Sequence, residues 1–176
     1  MAAWPSAAGW FGNPLEWRYV DKTLLLLIGH GLVLLAPVLW LYRCLRPGVP
    51  IPAFFDSTAL SQGFRINLAF LALIIALVLA TLVVRRLAPL GRWPAYVAAV
   101  LLSGNDAFIM AMIGHTTNSF TLLLLFLLVF LGLLLFDFLF VLAALAAWIL
   151  VIGGHLLAER LGLIPYGWLL SGPPFR

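Results

Sequence analysis

Residues 120–157 form an apolar run in which Asp137 is the only charged side chain. As one helix the run would measure about 57 Å, nearly twice the roughly 30 Å hydrocarbon core of a bilayer. It must therefore fold back on itself, and Asp137 is the place to turn. The run predicts two spans, 120–136 and 138–157. Water is the wrong solvent for such a chain: 65% of its residues are hydrophobic and 9% charged, where soluble domains hold about 45–50% and about 25%. Because backbone polar groups in lipid must be paired within the segment or in a closed barrel, runs of this length predict an all-α integral membrane protein. The expected architecture is a polytopic bundle of five transmembrane helices, with four and six as its bounds.

The rest of the chain supplies the other spans. Residues 1–22 read as an N-terminal interfacial segment carrying Trp4, Trp10 and Trp17, with Asn13, Pro14 and Glu16 as a helix start of N-cap, first-position proline and reciprocal acid. The first span, 23–42, is apolar except for His30 and is kinked by Pro37. Arg43, Arg46, Pro47, Gly48, Pro50 and Pro52 end it, and residues 56–63 read as a short polar connector. The second span, 66–87, closes on Arg85 and Arg86, and the third, 94–114, carries Ser103, Gly104, Asn105 and Asp106 as an internal interruption. A polar turn follows at 114–119. The bundle thus covers 23–158, and 159–176 is a Gly/Pro-rich tail. No internal repeat and no inverted pair of broken helices is visible.

Charge and cysteine usage narrow the function classes. The net charge of +4 comes from cations placed singly or in pairs at the ends of apolar runs, which fits loop signals and excludes a nucleic-acid patch. With five spans and the N-terminus inside, Arg18, Lys22, Arg85, Arg86 and Arg92 face the cytoplasm, while Arg43, Arg46, Arg65, Arg160 and Arg176 lie outside. A four-span chain would bring Arg160 and Arg176 inside and satisfy the charge rule better. Length favours five, since tilt absorbs only modest mismatch. The single Cys44 excludes an intrachain disulfide, a CxxC pair and a thiolate cluster, and reads as an inert interfacial thiol. The first 19 residues lack the basic start of a cleavable signal, so insertion is expected to rely on the first helix.

Polar groups inside the spans are the candidate site. Asp106 lies deep in the third span, where an unpaired carboxylate costs several kcal/mol, so it must face protein or water. Ser103, three residues earlier, is expected on the same helical face, with Asn105 between them. His30, flanked by Gly29 and Gly31, lies at a similar depth and is expected to reach Asp106 from a facing helix. His115 and Asn118 of the polar turn complete the ligand-binding set. The other reading of Asp106 is a protonated structural carboxyl bonded to a neighbouring helix. Only His115 and His155 share a depth suited to a haem or metal, and no HxxxH or HExxH spacing supports one, so neither metal nor cofactor is expected. No nucleophile elbow, phosphate loop or paired-aspartate arrangement is present, and no catalysis is expected.

Several segments together resemble the multi-helix transmembrane input region of bacterial sensor histidine kinases and related membrane nucleotide or diguanylate cyclases. Residues Asn13, Pro14, Leu15, Glu16, Trp17 and Arg18 open the first helix as such regions do; Arg85-Arg86 follows the second, and an Asp sits in the third. The turn from Gly114 to Phe120 resembles the family's Gly-Gly-x-x-Ser-Pro-Phe, with Thr in place of its second Gly. Residues Glu159 to Tyr166 resemble its Glu-x-Leu-Gly-Leu-Leu-Pro-His, with Tyr166 in place of the His. The resemblance implies an N-terminus inside, five spans before position 160, and a sixth helix and cytoplasmic catalytic domain beyond the tail.

The expected function is a non-catalytic sensor module in the bacterial inner membrane, detecting a membrane-soluble or interfacial ligand near Asp106 and the 114–119 turn. Its expected partners are the lipid bilayer and a second copy or another membrane protein. Two alternatives stay open: a small subunit of a larger membrane complex, and a small transporter or channel protomer that uses Asp106.

Overall fold

The computed structural model describes residues 14–49, 57–88, 90–113 and 120–164, and these are helical apart from short connections. A single 3-10 turn, Pro14–Glu16, precedes α1 (Tyr19–Cys44), α2 (Ser57–Leu87), α3 (Trp93–Ile113), α4 (Phe120–Leu135) and α5 (Phe138–Arg160). Four of them, α1, α2, α3 and α5, are long and apolar enough to cross a membrane. The fifth, α4, has 16 residues, about 24 Å of helix. The chain is an all-helical membrane bundle.

The centre of the bundle is α3. Of its apolar window 56% is buried, against 22–28% for the other three long helices. Ala95, Ala98, Ala99, Ala107 and Ala111 are almost wholly inaccessible and let neighbouring backbones approach closely, the usual device where lipid removes any hydrophobic drive to associate. Ala95 and Ala99 seat Phe140, Val141 and Ala144 of α5, while Ala98 and Leu102 join Leu27, Leu34 and Val38 of α1 and Ile74 and Leu77 of α2. The outward faces are large aliphatics such as Leu32, Val33, Ile149 and Leu150, which suit acyl chains and not water. Two buried threonine hydroxyls are satisfied within their own helices: Thr23 donates to the Tyr19 carbonyl and Thr81 to that of Leu77.

The hairpin at Asp137 forms as its sequence demands. Asp137 is the N-cap of α5, its backbone extended and its Oδ1 accepting the Phe140 amide at 2.8 Å. At the far end α5 continues to Arg160, past the expected 157, and stops at Gly162. There φ is +70°, the Leu163 amide donates to the Ala158 carbonyl and the Gly162 amide to that of Glu159, the paired bonds of a glycine-terminated helix.

Three expectations need correction. The helix predicted from Asn13 is instead a 3-10 turn, and α1 begins only after Arg18, whose extended backbone caps it without a side-chain bond. Asn13 itself lies outside the described residues. The later start places Asp21 in the first turn of α1, where it suits the helix dipole, accepts a hydrogen bond from Arg18 at 2.9 Å and makes an ion pair with Arg85 at 2.8 Å. Second, of the predicted connector 56–63, Ser57 onward is helix, because Ala59 and Leu60 bury against Leu41, Cys44 and Met112. Cys44, the last residue of α1, is packed in this contact. Third, Ser103 to Asp106 do not interrupt α3: their polar groups reach other helices, so the backbone ladder continues.

The start of α1, the end of α2, the start of α3 and the α4–α5 turn share one end of the bundle. There Asp137 Oδ2 accepts from the hydroxyls of Tyr19 at 2.7 Å and Tyr96 at 3.0 Å, with Arg92 at 4.0 Å. Desolvation pushes the Asp137 carboxyl up, but the hydrogen bonds from Tyr19, Phe140 N–H and Tyr96 and the Arg92 charge together hold it below its ordinary value. A carboxylate depressed in the folded state contributes stability above its unfolded pKa, near about 3.9, and loses it as pH falls through the folded value. The melting temperature in detergent is thus expected to be insensitive to this group above about pH 5 and to fall below about pH 4. Asp137→Asn should flatten that fall; an unchanged acid slope would show that other carboxylates set it.

Candidate functional site

The site is built on α1 and α3. His30 and Asp106 lie roughly 16 and 20 Å along their helices from the end that both helices share, so both are mid-span. His30 Nε2 stands 3.4 Å from Asp106 Oδ1 and 3.5 Å from Asn105 Nδ2. These are long contacts for hydrogen bonds, but they place one imidazole nitrogen between a carboxylate and an amide. Asn105 is 1% exposed, the His30 side chain 17% and the Asp106 side chain 32%. The expected approach of His30 to Asp106 from a facing helix is what the structure shows.

Ser103 is elsewhere. Its hydroxyl donates to the Ala144 carbonyl of α5. Because α3 is enclosed, the 60° separating positions three apart is enough to aim Ser103 at α5 and Asp106 at α1. Ser103 therefore locks two helices together and does not join the polar trio. His115 and Asn118 lie outside the described residues.

Asp106 and His30 form the polar part of an otherwise apolar hollow of about 240 Å³, walled by Leu26, Leu131, Gly132 and Phe136 among others. A second hollow of about 320 Å³ runs from Trp17 and Lys22 along Leu25, Leu26 and Gly29 to the same His30. The two share Leu26, His30 and Leu135. An added Cβ on Gly29 would meet nothing within 4 Å, which marks how open that stretch is.

The trio has two exclusive arrangements. With Nε2 unprotonated, His30 accepts from the Asn105 amide; with Nε2 protonated, it donates to Asp106. The buried Asn105 Oδ1 has no hydrogen-bond partner, a cost that a donor from a ligand would remove. The arrangement can thus exchange a proton or receive a small hydrogen-bonding group from the hollow. Among the described residues, no three His, Cys, Asp or Glu side chains converge as metal ligands.

Two polar clusters escaped the sequence reading. His155 and Glu159, 3.3 Å apart on α5, are mostly buried, and their four-residue spacing is the signal that pairs them. The second is the set of donors around Asp137, whose members come from three separate segments. Compared with known proteins, the chain matches no family model, and no curated protein or solved structure matches it significantly.

Proposed function

We propose that this chain is a non-catalytic transmembrane input module that takes up a membrane-soluble ligand with one hydrogen-bonding end. The observation that carries the reading is the His30, Asn105 and Asp106 trio at mid-span, opening onto an apolar hollow. A polar group retained at such depth is costly unless it is used, and small ligands favour apolar cavities with a few convergent polar groups. The sequence resemblance to the input regions of bacterial histidine kinases and cyclases supports the sensing role and an inner-membrane location. In this reading the ligand chooses between the two His30 partners and so biases the seating of α1 on α3, and a second copy or an attached output domain reads that shift.

A decyl-substituted benzoquinone, added to the chain in nanodiscs, is a suitable probe. It is expected to raise the melting temperature, and Asp106→Leu is expected to weaken its binding about tenfold, the worth of one charge-assisted hydrogen bond. Equal binding by the wild type and the Leu variant would sink the proposal. The same pair of residues is what a proton-translocating reading would use. Its mark is a proton leak in liposomes that disappears in Asp106→Asn.

A further inference from the structure

Two hollows flank the start of α1. One, on the α4 side, begins at Trp17 and Lys22 and descends past Leu25, Gly29 and Val33. The other, of about 540 Å³ on the α2 side, begins at Trp17, Asp21 and Arg85 and descends past Leu25, Ile28 and Val78. Trp17 and Leu25 belong to both, and Leu25, 54% exposed, is the ridge between them. Below the rim both walls are aliphatic apart from His30 at the foot of the α4-side hollow. At the rim stand three cations, Arg18, Lys22 and Arg85, against two acids: Asp21, paired with both arginines, and Glu16 beside Trp17, so one positive charge is in surplus. Lys22 spends one donor on the Leu15 carbonyl and keeps two for other acceptors.

We propose that this is a binding site for an anionic two-chain phospholipid that straddles α1. Its phosphate sits against Lys22 and Arg85, and its acyl chains lie one in each hollow on either side of Leu25. The shape asks for one polar head and two apolar limbs, and the surplus of basic charge at the rim selects a negative head. A second copy of the chain is a poor occupant, since a two-fold contact would bring the same basic rim against itself. This inference does not rest on the ligand reading, because its polar contacts are at the membrane interface and not at Asp106.

The test uses the full chain in vesicles with spin-labelled phosphatidylglycerol or phosphatidylcholine as probe. The expected result is preferential immobilisation of phosphatidylglycerol. Lys22→Gln should reduce that preference about fivefold, the weight of one basic residue at an anionic surface. Gly29→Leu, which fills the open α4-side hollow, should reduce it as well, while Arg160→Gln leaves it unchanged. Equal immobilisation of the two lipids by the wild type overturns the proposal. So does a loss confined to Lys22→Gln, which would mean surface attraction without seated chains. Disulfide-linked dimers through Leu25→Cys that form as readily in phosphatidylglycerol as in phosphatidylcholine vesicles would also overturn it, by showing a protein contact in place of the lipid.

Discussion

Asp137→Ala is expected to destabilise the bundle by about 2–4 kcal/mol, the sum of a lost N-cap and of hydrogen bonds to a charged acceptor. One carboxylate ties three segments: Tyr19 at the start of α1, Tyr96 at the start of α3 and the Phe140 amide in the first turn of α5. Removing it uncaps α5 and leaves two phenol hydroxyls without their acceptor, while Arg92, held 4.9 Å over the Tyr19 ring, loses its counter-charge. Asp137→Asn keeps an oxygen for the cap and should cost about half as much. Reversible unfolding in mixed micelles, followed by tryptophan fluorescence, measures both. A loss below about 1 kcal/mol for the alanine variant would show that the cluster contributes no more than an exposed ion pair.

Gly132→Val should open the α4–α5 hairpin, at about 2–3 kcal/mol. A Cβ at position 132 would stand 2.7 Å from Val141 Cγ2 and 3.3 Å from the Phe140 ring. Neither neighbour can yield easily: Val141 is stiff at its branch point, and Phe140 is stacked on Phe136 with ring centroids 4.2 Å apart. Gly132 also borders the hollow that holds Asp106, so the same variant should weaken uptake of the benzoquinone probe. The contrast is Gly63→Ala. Its Cβ would approach the terminal methyl of Met112 at 2.7 Å, but a flexible thioether can swing aside, and a near-neutral effect is expected. If Gly132→Val unfolded like the wild type, α4 would have to be free to slide along α5.

How far the sequence leads depends on whether a feature is local. The hairpin at Asp137 was readable because a span longer than the bilayer admits one polar break. The approach of His30 to Asp106 followed from depth alone, since both residues sit mid-span and lipid forces such groups inward. Direction around a helix was less accessible. Ser103 and Asp106 share a face by spacing, yet in an enclosed helix that face meets two neighbours, and only the bundle decides which residue each one sees. The Ser57 to Gly63 stretch misled because its polar composition resembles a connector, while its fate is set by Leu60 packing against residues distant in sequence. Tyr19 and Tyr96 carried no signal beyond that of interfacial aromatics until Asp137 was placed between them.

The central position of α3 also bears on how the chain is made. It is the least apolar of the four long helices and the most enclosed, and its Ser103 finds an acceptor only on α5. During synthesis α3 leaves the ribosome before α5 exists. For that interval its serine, asparagine and aspartate have only α1 and α2 to shelter them. The insertion machinery must therefore retain α3, or receive it together with the first two helices, until α5 arrives to close its other side. Integration of α3 is then completed by α5, and not one span at a time.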